Sequence, residues 1–196
     1  IPIQVLIAVP IIATIIAILL LKPTKKTSII GSFQTALILT ATISAIGVYA
    51  LYYLMNLNMV FFWCYLTGLI MAVLLCLSAR PYTSTNSKTV TRITKASETG
   101  PATNVIQGLI TGFKSTWMPV IIIATSMLFV MITTREHIDP IVGIITAAIG
   151  LLSISGIVIT LTAFSPIADN AGGIAEMGGL SSKVRAITDT LNEAEN

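Results

Sequence analysis

Apolar residues run along this chain in blocks too long and unbroken for the alternation of a water-soluble fold. The first block spans 1–21, broken by Pro10 and closed by Lys22. The second covers about 29–54 and the third about 59–77. A fourth helical stretch follows Pro101 and is predicted over 102–134, but Lys114 falls inside it. Residues 115–134 carry no charge and are long enough to cross a bilayer alone. The part before Ser115 is therefore expected to extend the helix outside the hydrocarbon, with the Lys114 ammonium snorkelling to the interface. The fifth block runs over 141–168, its apolar part ending at Phe164. A polar, glycine-containing segment occupies 169–196. Pro10 and Pro119 lie inside spans, where neighbouring helices can satisfy the carbonyls they free.

The predicted architecture is an all-α membrane protein with about five transmembrane helices. Composition agrees: 55% of the 196 residues are hydrophobic and 10% are charged, against roughly 25% charged in a soluble domain. Mean hydropathy is +0.92. The chain begins at Ile1 and ends in polar sequence at Asn196, which is the expectation for a fragment of a larger bundle.

Charge orients the spans. Lys22, Lys25 and Lys26 follow the first; Arg80, Lys88, Arg92 and Lys95 the third; Lys183 and Arg185 the fifth. The turn around Asn56 and Asn58 has no charge, and Arg135 in the loop between spans four and five is offset by Glu136 and Asp139. The positive-inside tendency makes the basic side cytoplasmic. The segment 169–196 then faces the cytoplasm, and the net charge of +3 needs no nucleic acid to explain it.

Most of the remaining chemistry reads as packing or anchoring. Cys64 and Cys76 are twelve residues apart in one span, about 18 Å along a helix axis, so they cannot pair. His137 sits in a charged loop and is expected to be solvated. Tyr49, Tyr52, Tyr53, Trp63 and Tyr65 are placed to form an aromatic belt at the outer interface, and Trp117 at the inner one. Gly143 with Ala147, Gly150 with Ser153, Ser155 with Gly156, and Gly108 with Gly112 are small residues at helical spacing, expected to admit a close helix neighbour.

One segment does look like a site. Ser165-Pro166-Ile167-Ala168-Asp169-Asn170-Ala171-Gly172-Gly173-Ile174-Ala175-Glu176-Met177 sets a carboxylate and small residues directly after an apolar run. Asp169 could cap a helix continuing from Asn170. It could equally belong to an oxygen-rich group with Asn170, Glu176, Asp189, Asn192 and Asn196, the donor type that hard cations such as Mg²⁺ require. One carboxylate and an amide cannot build a phosphoryl-transfer site alone, so most ligands of any metal site would lie outside the chain.

These residues resemble the signature of membrane-integral inorganic pyrophosphatases, which pump ions. The likeness continues through Lys183-Val184-Arg185 and Thr188-Asp189 to Asn196. A second block, Ala96-Ser97-Glu98-Thr99-Gly100-Pro101-Ala102-Thr103-Asn104-Val105-Ile106-Gln107-Gly108-Leu109, is similar to the family as well, as are Ser115-Thr116, Pro119-Val120 and, more weakly, Tyr82-Thr83-Ser84.

The resemblance implies a central block of a bundle of about sixteen helices. It implies Mg²⁺-dependent hydrolysis of pyrophosphate coupled to outward movement of H⁺ or Na⁺. Asp169 and Asn196 would help hold the Mg²⁺–pyrophosphate complex at the cytoplasmic face, with no catalytic residue in this chain. The implied setting is membrane lipid, the missing helices of the same protein and a homodimer in a bacterial inner membrane. The chain alone is expected to be inactive. Three departures stand out: Ser165 replaces a usual glycine, Gly178 a usual alanine, and Arg80 stands where the family pattern suggests an acidic residue. Two other classes fit less well. A non-catalytic scaffold needs none of the missing residues, and a secondary transporter would show an inverted repeat, which the five spans do not.

Overall fold

A computed structural model describes residues 3–20, 29–84 and 87–193, and among these the chain is helical without strands. In chain order the helices are α1 (Ile3–Leu20), α2 (Ile29–Leu54), α3 (Met59–Thr83), α4 (Lys88–Ser97), α5 (Pro101–Thr134), α6 (Pro140–Leu152), α7 (Ser155–Met177) and α8 (Ser182–Glu193). Among the described residues four stretches are long and apolar enough to cross a membrane: Gly31–Leu54, Met59–Ser97, Pro101–Thr134 and Pro140–Met177. Val5–Leu20 is a shorter apolar helix. The protein is an integral membrane fragment of the expected class.

Local signals fix several helix starts. The Asn58 side chain accepts from Val60 N–H at 3.0 Å, and Ser87 from Val90 N–H at 3.1 Å. Asp139 accepts from Ile141 N–H at 2.8 Å, just ahead of Pro140. Gly100 has φ +130° at the start of α5, a conformation that only glycine adopts without strain. This turn folds the second family-like block into a helical hairpin. The Thr103 hydroxyl donates back to the Ala96 carbonyl at 3.0 Å, tying α5 to the end of α4.

The hairpin explains Lys114. Tyr82, near the end of α3, donates its hydroxyl to the Lys114 carbonyl at 3.0 Å. Lys114 is therefore level with the end of α3, and α5 before it projects past the apolar bundle alongside α4. The third span runs six residues further than its apolar block, through Pro81 to Thr83.

The core forms where α3 meets α6. A Cβ built on Gly68 would collide with the Ala147 carbonyl, and one on Gly150 with the Tyr65 carbonyl. Backbone is thus packed on backbone, as small residues permit between membrane helices. Gly143 is almost as tight, since a Cβ there would strike Thr134 and lie 3.1 Å from a Val130 methyl. Cys64, Val130 and Ala147 bury themselves beside it. A larger cluster joins α2, α3, α6 and α7 through Val48, Tyr52, Phe62, Leu69, Ile149 and Ile157. Gly108 and Gly112 differ, because a Cβ on either meets nothing. In the apolar stretch of α5 only 6% of the residues are buried, against 39% in the last span.

Aromatic residues sort into two roles. Tyr49, Tyr53, Phe62 and Trp63 gather at the end of the bundle where α2 hands over to α3, with Tyr49 stacked on Tyr53 at 6.1 Å. This is the expected belt. Tyr52 and Tyr65 are not anchors: they are 3% and 0% exposed, because their register on α2 and α3 turns them inward. Cys64 and Cys76 are free thiols, and His137 lies exposed in the α5–α6 loop.

The fifth span differs from expectation in that its helix runs past 168 to Met177 and is interrupted on the way. It is two helices, separated at Ser153 and Ile154. The Ser153 N–H bonds the Gly150 carbonyl at 3.1 Å, and its hydroxyl takes the Ile149 carbonyl at 3.0 Å. The backbone tightens here, with Ile157 N–H bonding the Ile154 carbonyl three residues back at 3.1 Å, and a serine bonding backwards often accompanies such a bend. Apolar patterning carries no trace of such a break.

Candidate functional site at the α7–α8 cleft

Asp169 lies inside α7, not in a turn and not at a cap. The helix runs without interruption through Pro166 and the two glycines to Met177, so its peptide N–H groups are already engaged. The cap reading is thereby overturned. The helix stops where Gly179, at φ +62°, takes the left-handed position. Leu180 N–H then bonds the Ala175 carbonyl at 3.0 Å and Gly179 N–H the Glu176 carbonyl at 3.1 Å, the paired closure of a Schellman motif. This reversal sends α8 back along α7.

Helical spacing then builds a cleft. Asp169, Gly172, Gly173 and Glu176 stand at i, i+3, i+4 and i+7, one face of α7. Arg185, Thr188 and Asp189 form the facing stripe of α8. Together with Ala168 they line a cleft of about 290 Å³. Ala168, Ala175 and Thr188 are buried at the helix contact, while Asp169 and Asp189 are exposed to the opening. Gly173 faces open space, and a methyl added at Gly172 would lie 3.6 Å from the Thr188 hydroxyl, an ordinary contact. The glycines therefore leave the cleft floor bare. They are not needed for close helix packing there.

One ion pair crosses the cleft, Arg185 Nη1 to Glu176 Oε1 at 3.1 Å. Its partners are 50% and 61% exposed, so it is worth at most about 1 kcal/mol. It occupies Glu176 and leaves Asp169 and Asp189 as the free carboxylates of the cleft. No three His, Cys, Asp or Glu side chains among the described residues are grouped to hold a metal ion. The donor chemistry nonetheless suits Mg²⁺, which takes oxygen ligands and uses one or two carboxylates together with substrate phosphates.

Asp169 is thus brought together with Asp189, Glu176 and Arg185, while Asn196 lies outside the described residues. Asp189 was one oxygen donor among six in the sequence, and Arg185 was only part of a motif. The heptad spacing of 169 to 176 was the signal that could have selected the facing residues. Arg80 lies apart from the cleft, at the exposed end of α3. Its guanidinium donates to the side-chain oxygen of Gln34 on α2, with the Gln34 amide turned to present that oxygen.

The fold and cleft together define a multi-span helical membrane protein with a carboxylate-lined pocket between the last part of the apolar stretch Pro140–Met177 and the helix that follows it. The whole chain, residues 1–196, matches the family described as inorganic H⁺ pyrophosphatase, and the chain belongs to that family. It is 33% identical over 189 residues to the K⁺-insensitive pyrophosphate-energized proton pump of Methanosarcina mazei, covering 95% of this chain and 28% of that protein. It is 35% identical over 192 residues to a putative K⁺-stimulated pyrophosphate-energized sodium pump of Clostridium tetani, covering 96% of the chain and 28% of that protein. A 124-residue stretch is 40% identical to pyrophosphate-energized proton pump 2 of Rhizobium leguminosarum bv. trifolii, covering 63% of the chain and 55% of that protein. The chain thus spans 28% of the length of the first two relatives.

Proposed function

We propose that this chain forms one wall of the Mg²⁺–pyrophosphate site in a membrane pyrophosphatase that drives H⁺ or Na⁺ outward. The observation that carries the reading is the pairing of Asp169 with Asp189 across a water-accessible cleft, in a chain of this family. Asp169 would hold Mg²⁺ as a ligand, with Asn196 as its expected partner, and Asp189 adds a second carboxylate from α8. Bound Mg²⁺ would supply positive charge against the phosphate oxygens. Asp169 and Asp189 fix where that charge sits, because α7 and α8 are joined by buried contacts through Ala168, Ala175 and Thr188. Arg185 engages Glu176, which keeps a long cation out of the carboxylate pair and leaves it able to accept a metal.

Asp169 acts here as a metal ligand, not as the general base. The resemblance extends the proposal to a homodimer in a bacterial inner membrane, and two of the three relatives named above are bacterial. Among the described residues no third metal-binding side chain is grouped with these two carboxylates, so the remaining ligands are assigned to other parts of a complete protein.

The proposal is tested by reconstituting a complete protein carrying this chain into sealed vesicles. Mg²⁺-dependent pyrophosphate hydrolysis with H⁺ or Na⁺ uptake supports it. A complete, folded protein that inserts but neither hydrolyses pyrophosphate nor moves ions would favour the scaffold instead.

A further inference from the structure

The break inside the last span has a mechanical consequence for the cleft. Before the break, α6 is fixed to α3, because Gly68 and Gly150 bring each helix backbone onto the other's carbonyls. Ser153 is the final residue held in this way. It is 4% exposed, and its hydroxyl lies 2.7 Å from that of Tyr65 on α3. Since Ser153 gives its own proton to the Ile149 carbonyl, the Tyr65 O–H is the donor between them. Tyr65 is fully buried, so no water competes for this bond.

Beyond the break, α7 meets the bundle of α1 and α2 near its start, while Ala168 and Ala175 further along are buried against α8. Ile154 and Ile157 enter the core, and Gly156 rests on Thr14 of α1, whose methyl would be 3.2 Å from an added Cβ. Further along, Ile159 and Ile167 are 64% and 62% exposed. Asp169 lies sixteen residues after Ser153, about 24 Å along a helix. A swing of about 5° at the break would move its carboxylate by roughly 2 Å. Metal sites tolerate distance errors of only about 0.2 Å.

We propose that Tyr65 is a positioning residue for the cleft: its hydroxyl pins Ser153 at the break and so sets where α7 presents Asp169. A third hydroxyl stands beside this bond. Ser44 of α2 is fully buried next to the Tyr65 hydroxyl yet makes no hydrogen bond of ordinary geometry. Thr40, one turn earlier on α2, is likewise buried without such a bond, whereas Thr35 and Thr42 bond back to their own helix at 2.8 Å. The α2 face is therefore placed to hold the phenol laterally while Ser153 takes its proton. The inference rests on Asp169 binding Mg²⁺.

The test uses a complete protein carrying Tyr65→Phe, Ser153→Ala, both together, and separately Asp169→Asn. Half-saturating Mg²⁺ for hydrolysis is measured against kcat, beside thermal inactivation. Each single change is expected to raise half-saturating Mg²⁺ about fivefold, the worth of one net hydrogen bond. The double variant is expected to match Ser153→Ala, which already removes the Tyr65 bond together with the bond to the Ile149 carbonyl. Tyr52→Phe, another buried tyrosine away from the break, leaves the Mg²⁺ requirement unchanged. Altered heat stability with an unchanged Mg²⁺ requirement would make Tyr65 merely structural and overturn the inference. Additive effects in the double variant would overturn it too. Asp169→Asn separates the two failures: an unchanged Mg²⁺ requirement there removes the ligand reading and this inference together, whereas a raised one beside an unaltered Tyr65→Phe removes the inference alone.

Discussion

Gly150→Ala puts the packing of the last span at stake, and the sign of its effect decides the matter. An alanine inside an ordinary helix is better than glycine by about 1 kcal/mol. At Gly150 the new methyl would coincide with the Tyr65 carbonyl and press on the Leu69 amide nitrogen, 3.1 Å away. Both obstacles are backbone, so no rotamer change relieves them. The α3 and α6 helices must separate, losing contacts around Gly68, Ala147 and Leu69. Overpacking of this kind costs about 1–3 kcal/mol and occasionally more; a clash with unyielding backbone lies at the upper end, so the net loss after the helix gain is about 2 kcal/mol. The assay is thermal inactivation of pyrophosphate hydrolysis in the complete protein, in detergent and in lipid, with insertion checked separately. The midpoint is expected to fall, and Gly68→Ala to behave alike. A midpoint that rises would show that α6 does not sit on α3 at backbone distance, and the rigid pair would be refuted.

Three further outcomes follow from the same geometry. Glu176→Gln removes the ion pair with Arg185 while keeping the shape of the cleft; because both groups are at least half exposed, stability should change by less than about 1 kcal/mol. A large loss of stability measured in low salt would show a stronger latch between α7 and α8. Arg80→Glu is expected to keep the contact with Gln34, since that amide can offer its N–H groups as readily as its oxygen, and to alter the ions moved per pyrophosphate hydrolysed. Unchanged pumping, hydrolysis and expression would mean that the charge reversal has no bearing on coupling. The isolated 196-residue chain should show no Mg²⁺-dependent hydrolysis, and robust turnover by it would place the whole site within these helices.

Hydrophobic run lengths made the spans legible, because a bilayer imposes a length and leaves little choice of secondary structure. That one helix continues on both sides of Lys114 was legible as well, and α5 runs unbroken over Pro101–Thr134. What run lengths do not encode is direction around the helix axis. Tyr52 and Tyr65 looked like interfacial anchors by position along their spans, but their register places them in the core. Gly143 and Gly150 are packed as their spacing suggested, whereas the same spacing at Gly108 and Gly112 meets open space.

The site was legible as chemistry and less so as shape. The Asp169 segment reads as a loop from its glycines, yet glycine is tolerated inside membrane helices, and α7 runs straight through it. The reversal at Gly179 that lays α8 on α7 depends on one left-handed residue. That turn, more than the motif, brings Asp189 to Asp169. The break at Ser153 was hidden because it involves no proline and no polar cluster, only a local shift to shorter backbone bonds from Ser153 to Gly150 and from Ile157 to Ile154.

The central claim is that Asp169 binds Mg²⁺ for pyrophosphate hydrolysis, and Asp169→Ala in a complete protein tests it most directly. Hydrolysis should be abolished across a Mg²⁺ titration while the protein still inserts and assembles, because the side chain is exposed in the cleft and holds no helix contact. Normal hydrolysis with a normal Mg²⁺ requirement in that variant would contradict the account.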